Sequence, residues 1–117
     1  MFNDNQFAGE IIRPGIMIYG SDPLQQATLS SQSLQPAMTF TAPIIDIHHL
    51  EPGEGVGYNH RWRAKRSSVI ATVAAGYGDG YPRHAKAGTP VSIQGHRAPL
   101  VGTVSMDMLS IDMTDLY

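Results

Sequence analysis

Apolar residues in this chain occur in short runs or at alternate positions, which is the pattern of β-strands rather than of amphipathic helices. The segment Ser67–Gly76 contains a continuous apolar run rich in β-branched residues and predicts a central strand. Residues 38–50, MTFTAPIIDIHHL, alternate in polarity and change phase at Pro43, which predicts one bent strand at an edge or with a bulge. A similar phase change in residues 103–113 predicts a bulge near Met106–Leu109. The run IMIYG (Ile16–Gly20) predicts a short buried strand.

The remaining pattern favours turns over helices. The segment TPVSIQGHRAPLVG predicts a hairpin around Gln94–Gly95–His96. Twelve glycines and eight prolines leave little room for long helices. We therefore predict a mostly β fold, built as a small, partly open barrel or sandwich. The predicted core residues are Ile45, Ile47, Val69, Ile70, Val73, Val91, Val101, Val104 and Ile111.

Composition narrows the class of protein. The 117 residues fit one domain or a piece of something larger, and 15% charged residues is low for an independent small domain. A net charge of −2 gives no reason to expect nucleic acid or an anionic membrane as a partner. Cysteine is absent, no apolar run reaches transmembrane length, and the first residues lack the features of a signal peptide. The sequence thus predicts a cytoplasmic protein.

Several common kinds of site are not favoured. GEGVGY and GYGDGY both lack the third glycine of the dinucleotide-binding motif, and no P-loop lysine is present. The five histidines do not have metal-ligand spacing, so we predict no metal site. The basic run RWRAKR is typical of a solvated surface. No serine occupies a nucleophile elbow.

The stretch GYGDGYPR combines flexible glycines with two phenols, Tyr77 and Tyr81. From physical chemistry alone, these tyrosines are more simply aromatic residues that cap the end of a strand, since tyrosine is a rare general base. A phenol on a glycine turn after a buried strand can also be projected into a neighbouring cleft. Tyr81, followed by Pro82, is expected to pack or to line the entrance of such a cleft.

Four separated motifs, RPGIMIYG, VGYNHRWRA, AAGYGDGYPR and APLVGTVSMDMLSIDM, resemble those of alanine racemases in order and in spacing. The resemblance covers nearly the whole chain, from Ile12 to Asp112. It implies the mostly β fold of the C-terminal domain of that family. It also implies a pyridoxal-phosphate enzyme that interconverts L- and D-alanine as a head-to-tail homodimer, supplying D-alanine for peptidoglycan. Each active site would combine the α/β barrel of one subunit with the C-terminal domain of the other.

The resemblance also implies roles for particular residues. Arg13 matches the arginine that faces the pyridine nitrogen of the cofactor, and Gly15 and Ile16 match backbone donors to its phosphate. Tyr77 matches the base that acts on L-alanine, opposite a lysine that serves the other face. Met106 matches the residue whose backbone amide meets the substrate carboxylate.

The chain departs from the family pattern because it lacks the motif of the Schiff-base lysine. Its only lysines, Lys65 and Lys86, do not lie in a motif like that of the family's Schiff-base lysine. We therefore interpret residues 1–22 as the end of the N-terminal barrel, 23–37 as a linker and 38–117 as a C-terminal β domain truncated at its end. The isolated chain is expected to be inactive.

Two alternatives stay open. One is an amino-acid racemase of the same fold with broader substrates. The other is a non-enzymatic β-domain remnant that binds a partner.

A further departure from the family pattern is that Asn59 and His60 stand where many members of the family have glycines. This difference puts no catalytic role in doubt.

Overall fold

The computed structural model describes residues 11, 13, 15–21 and 34–117. The chain divides after Phe40 into two compact units, each of which is described by itself. The predicted linker, 23–37, lies largely outside the described residues, as does most of the predicted barrel remnant, 1–22.

The first unit contains a 3-10 helix, Gly15–Tyr19, where a buried strand was predicted. None of its five residues is buried. The prediction was wrong because a short apolar run does not by itself distinguish a strand from a helical turn. Gly15 and Gly20, on either side of IMIY, both adopt positive φ, of 60° and 86°, which turns the chain at each end.

The second unit is mostly β, as predicted, with no α-helix between Thr41 and Tyr117. The strands are β1 (Ile44–Leu50), β2 (Gly55–Val56), β3 (Trp62–Arg63), β4 (Ser68–Val73), β5 (Pro90–Ile93), β6 (His96–Val101) and β7 (Leu109–Asp112). Five of them form one antiparallel sheet in the order β1-β4-β7-β6-β5, and β2 pairs with β3 in a separate two-stranded sheet. No helix in the described part of the chain is long and apolar enough to span a membrane.

Strand β4 is central, as its β-branched sequence predicts. It lies between β1 and β7, and five of its six residues are buried. Its two faces contribute to different clusters, with Val69, Ala71 and Val73 on one side and Ile70 on the other. This burial on both faces explains the continuous apolar run.

The predicted hairpin joins β5 and β6, in which Ile93 pairs with His96. Gln94 and Gly95 form its two-residue turn, and both have positive φ, of 50° and 86°. Positive φ at both positions defines the type I′ turn that matches strand twist. The side-chain alternation of β6 places Ala98 and Leu100 in the core.

Strand β1 is shorter and more exposed than predicted. It begins at Ile44, and residues 34–43 have no regular structure. It is an edge strand, so Ile45 and Ile47 are 56% and 42% exposed rather than part of the core. The register with β4 shifts between Ile44 and Asp46, which agrees with the bulge predicted around Pro43.

The core lies on the sheet as one larger and one smaller cluster. The larger is Val69, Ala71, Val73, Ala75, Ala98, Leu100, Val104, Leu109, Ile111 and Met113, and the smaller is Val56, Ile70 and Val101. Six predicted core residues are buried here: Val69, Ile70, Val73, Val101, Val104 and Ile111. Val91 is half-buried against the larger cluster. The prediction that Ile45 and Ile47 belong to the core was wrong because β1 pairs with a neighbour on one side only. Pro43 indicated an edge or a bulge, and the structure has both.

Strand β7 begins only at Leu109, so the predicted bulge within one long strand is also wrong. Ser105 replaces strand pairing with local hydrogen bonds. Its hydroxyl donates to the carbonyl oxygen of Met108 at 2.8 Å and accepts from the Met108 N–H at 3.0 Å. Such side chain–backbone bonds compete with sheet pairing and favour a turn. Residues 103–108 are therefore a loop that enters β7.

Candidate functional site

A cleft of about 390 Å³ opens on the second unit where three loops meet. The first loop is the turn Tyr58–Arg61 between β2 and β3, the second follows β4, and the third leads into β7. The residues that line it are Tyr58, Asn59, Arg61, Tyr77, Arg83, Thr103, Val104, Ser105, Met106 and Asp107.

The loop after β4 is fixed at its start. The N–H of Gly76 donates to the Asp79 carboxylate at 2.9 Å, and residues Tyr77–Asp79 form a 3-10 turn. Gly80 ends that turn with φ of 95°, a left-handed conformation that glycine adopts without strain. The turn holds the Tyr77 backbone at the edge of the cleft.

Two backbone hydrogen bonds join this loop to the one before β7. The Tyr77 N–H donates to the Ser105 carbonyl oxygen at 3.0 Å, and the Gly78 N–H donates to the Met106 carbonyl oxygen at 2.7 Å. A Cβ atom at Gly76 would lie 2.4 Å from the Met106 carbonyl group, so only glycine permits this approach. The structure thus brings together Tyr77 and Met106, which the sequence predicts as site residues.

Met106 lines the cleft. No described residue accepts a hydrogen bond from the N–H of Met106 or of Asp107. The residue is 63% exposed. Two unpaired N–H groups in succession can bind a carboxylate or another small anion.

Arg83 is a cleft residue that the sequence analysis missed. Its guanidinium carbon lies 5.2 Å from the centroid of the Tyr77 ring, within the range of a cation–π interaction. The only signal for it is its place at the end of GYGDGYPR, six residues after Tyr77. Tyr81, in contrast, is half-buried and packs against the larger core cluster.

Tyr58 is a second phenol that the sequence analysis did not single out. It lines the same cleft as Tyr77 and is 72% exposed. The two residues after it, Asn59 and His60, both have positive φ, of 62° and 45°. Non-glycine residues in this conformation are strained, and such strain is common at functional sites. The available signal was the motif VGYNHRWRA, which contains this tyrosine.

Arg13, Gly15 and Ile16 belong to the first unit and are exposed. No described residue accepts from the N–H of Gly15 or Ile16, and Arg13 has no ion pair within the described chain. Free backbone donors and an arginine have the chemistry that a phosphate group and a pyridine nitrogen require. These residues therefore fit the cofactor that the resemblance implies. Within the described residues, no three metal-ligating side chains cluster.

Comparison with known proteins identifies the family to which the chain is similar. The family described as "Alanine racemase, C-terminal domain" matches residues 37–117. An alanine racemase from Chromohalobacter salexigens is 56% identical over 108 residues, 92% of this chain and 30% of that protein.

Solved structures show the same fold. The biosynthetic alanine racemase from Pseudomonas aeruginosa superposes with a TM-score of 0.81 at 51% identity, over 90% of this chain and 29% of that one. An alanine racemase from Bartonella henselae with covalently bound pyridoxal phosphate superposes with a TM-score of 0.72 at 32% identity, over 87% of this chain and 28% of that one. The chain thus spans less than a third of these relatives. The matched family, the sequence identities and the shared fold together show that this chain belongs to the alanine racemase C-terminal domain family.

Proposed function

We propose that this chain is the part of an alanine racemase that closes one side of the active site, in an enzyme that interconverts L- and D-alanine. The observation that carries the proposal is the cleft, which is lined by Tyr58, Tyr77 and Met106 in a chain 56% identical to an alanine racemase. Racemisation removes the α-hydrogen from one face of alanine and returns a proton to the other. It therefore needs a proton-transferring group on each face.

Pyridoxal phosphate is the proposed cofactor, as in the Bartonella henselae relative. When bound, this cofactor acidifies the α-hydrogen of an amino acid by withdrawing electrons from its α-carbon. Gly15 and Ile16 would donate backbone N–H groups to its phosphate, and Arg13 would face its pyridine nitrogen. Arginine stays protonated under all ordinary conditions, so it would donate a hydrogen bond to that nitrogen and give it no proton.

Met106 is the proposed contact for the substrate carboxylate. Its N–H has no acceptor among the described residues, and the turn built by Ser105 fixes its direction. A backbone donor held in this way orients the carboxylate without the entropic cost of ordering a side chain.

Tyr77 is the base for L-alanine that the sequence predicts, and it remains a proposal. Its backbone is held by the Ser105 carbonyl oxygen at 3.0 Å, and its side chain lines the cleft at 39% exposure. A phenolate in this place would accept the α-hydrogen of an L-alanine whose carboxylate is held by the Met106 N–H.

Tyr58 is the second candidate for this base, and two observations favour it. It is 72% exposed against 39% for Tyr77, so more of its ring is available to a substrate carried by another part of the enzyme. It also begins the strained turn through Asn59 and His60, whereas Tyr77 has a packing partner in Arg83. The His60 ring lies against Gly55, which keeps the strained turn in place.

In a head-to-tail homodimer, the barrel that faces this cleft would be supplied by the partner subunit, together with the copies of Arg13, Gly15 and Ile16 that hold its cofactor. Arg13, Gly15 and Ile16 of this chain would then serve the other active site. The two lysines of the chain, Lys65 and Lys86, are exposed and do not line the cleft. Neither is placed to serve the second face of alanine, so the 117 residues alone would be inactive.

Two other functions remain as alternatives. A broader amino-acid racemase would use the same cleft with a larger side-chain pocket, and a non-enzymatic domain would use the cleft to bind a partner. Turnover of alanine compared with that of larger amino acids separates the first alternative from an alanine racemase.

The test joins these 117 residues to the barrel of the Pseudomonas aeruginosa enzyme and adds pyridoxal phosphate; this protein is called the holoenzyme below. We expect the holoenzyme to racemise alanine in both directions, and the 117-residue chain alone to show no turnover. A holoenzyme that folds and binds the cofactor but does not racemise alanine would contradict the proposal.

A further inference from the structure

Arg83 has one described partner, and it is an aromatic ring. Its guanidinium carbon lies 5.2 Å from the centroid of the Tyr77 ring. No ion pair involves Arg83 within the part of the chain that the structure describes, although Asp107 lines the same cleft. An exposed arginine ordinarily points to water or to a carboxylate, so a guanidinium over a phenol in a cleft needs an explanation.

The Tyr77 backbone and the Tyr77 ring are held by different groups. The backbone is fixed by the hydrogen bonds from Tyr77 to Ser105 and from Gly78 to Met106. The phenol hydroxyl has no hydrogen-bond partner among the described residues. Rotation of the ring about its side-chain bonds is therefore limited by one described directional contact, the one with Arg83.

We propose that Arg83 is a positioning residue, which holds the Tyr77 ring across the cleft and keeps its hydroxyl directed into the site. Its catalytic consequence rests on the proposed racemase function with Tyr77 as the base, whereas the contact itself does not. A planar guanidinium stacks on a ring in one orientation, while a lysine ammonium is a more strongly hydrated point charge on a flexible stem. The role therefore favours arginine over lysine.

The contact is tested in the 117-residue chain by NMR of the arginine Nε–H groups. A proton over a ring face resonates upfield, so we expect the Arg83 signal to be shifted upfield in the wild-type chain and in Tyr77→Phe, which keeps the ring. The shift should disappear in Tyr77→Leu, and the signal of Arg97, exposed on β6, should not move. An Arg83 signal that is the same in Tyr77→Leu as in the wild type would overturn the proposal.

The effect of the contact between Arg83 and the Tyr77 ring on catalysis is tested in the holoenzyme by a double-mutant cycle. We expect Arg83→Met to lower kcat about two- to thirtyfold, the range that corresponds to a cation–π contact, with KM for alanine changed less than twofold. Arg83→Lys should recover only part of the loss. In the Tyr77→Leu background, Arg83→Met should not lower kcat any further, because the ring that Arg83 positions is absent.

The outcomes separate this proposal from the proposed function. If Arg83→Met lowers kcat by the same factor with and without the Tyr77 ring, the positioning role is wrong. It is also wrong if Arg83→Met raises KM at constant kcat, since Arg83 would then contact the substrate itself. If the NMR shift behaves as expected but the holoenzyme does not racemise alanine, the contact stands and the proposed function fails. Arg97→Met is the matched control and should leave kcat unchanged.

Discussion

The N–H of Gly78 donates a 2.7 Å hydrogen bond to the carbonyl oxygen of Met106, and this bond joins two of the three loops that line the cleft. One of these loops carries Tyr77, and the other carries the free N–H of Met106. A shift of either loop would therefore move a proposed proton-transfer group relative to the proposed carboxylate donor. Because the loops lie in contact, small residues are required between them.

Gly76→Ala tests that requirement. Its Cβ would lie 2.4 Å from the Met106 carbonyl group, and backbone on both sides leaves little room for relaxation. We expect it to lower the free energy of unfolding of the chain by about 3 kcal/mol, measured by urea denaturation. The matched control is Gly80→Ala, where φ is 95° but a Cβ meets no atom within 4 Å, and where about 1–2 kcal/mol is expected. Equal losses at both positions would contradict the close-approach argument.

Ile70 and Ile45 test the order of the sheet. Ile70 is fully buried on the central strand, so Ile70→Ala should cost about 2–5 kcal/mol of unfolding free energy. Ile45 is 56% exposed on the edge strand, and Ile45→Ala should cost less than about 1 kcal/mol. Denaturation of both variants of the chain measures this difference. A large loss at Ile45 would mean that β1 is covered by another element.

The hairpin turn offers a stabilising change. Gln94 has φ of 50°, a conformation that asparagine tolerates better than glutamine does. We expect Gln94→Asn to raise the free energy of unfolding by about 0.5 kcal/mol. Gly95→Ala, with φ of 86° at the replaced residue, should instead lower it by about 1–2 kcal/mol. Thermal unfolding of the two variants shows the sign, and the same sign for both would contradict the type I′ assignment.

The local sequence pattern was sufficient to predict the central strand and the hairpin. The β-branched run at Val69–Val73 and the glycine turn at Gln94–Gly95 each encode their structure within a few residues. Pro43 indicated an edge or a bulge for the strand that contains Ile45, but the exposure of Ile45 also depends on what covers the finished sheet, which a local pattern does not show. The loop at Ser105 was missed because its hydroxyl bonds interrupt a strand whose polarity pattern continues.

The candidate site was predictable only in part, because some of its contacts depend on how distant parts of the chain come together. Resemblance of short motifs was enough to indicate Tyr77 and Met106, which lie in neighbouring loops. The pairing of Tyr58 with Tyr77 in one cleft depends on how three loops converge from different strands. Likewise, the contact between Arg83 and the Tyr77 ring is a side-chain arrangement that no spacing along the chain specifies.

The lysines test the proposal that the lysine bound to pyridoxal phosphate lies outside these 117 residues. Lys65 and Lys86 are exposed and lie outside the residues that line the cleft, so neither should form a specific covalent link with pyridoxal phosphate in the 117-residue chain. Borohydride reduction followed by mass spectrometry should find neither lysine labelled stoichiometrically. In the holoenzyme, one label per subunit is expected, on the barrel. Stoichiometric labelling of Lys65 or Lys86 would contradict the proposal that another part of the enzyme supplies the second base.

The central claim is that a tyrosine of this cleft transfers the proton on the L-alanine face, and exchange of the α-hydrogen in deuterated water tests it most directly. Tyr58→Phe and Tyr77→Phe each keep the ring and remove only the hydroxyl, so both variants of the holoenzyme should fold. The variant that loses the base should exchange L-alanine at least about a hundredfold more slowly, while exchange of D-alanine is largely retained. We predict that this variant is Tyr77→Phe, and a loss confined to Tyr58→Phe would assign the base to Tyr58 instead. Near wild-type exchange of both enantiomers in both variants would contradict the claim.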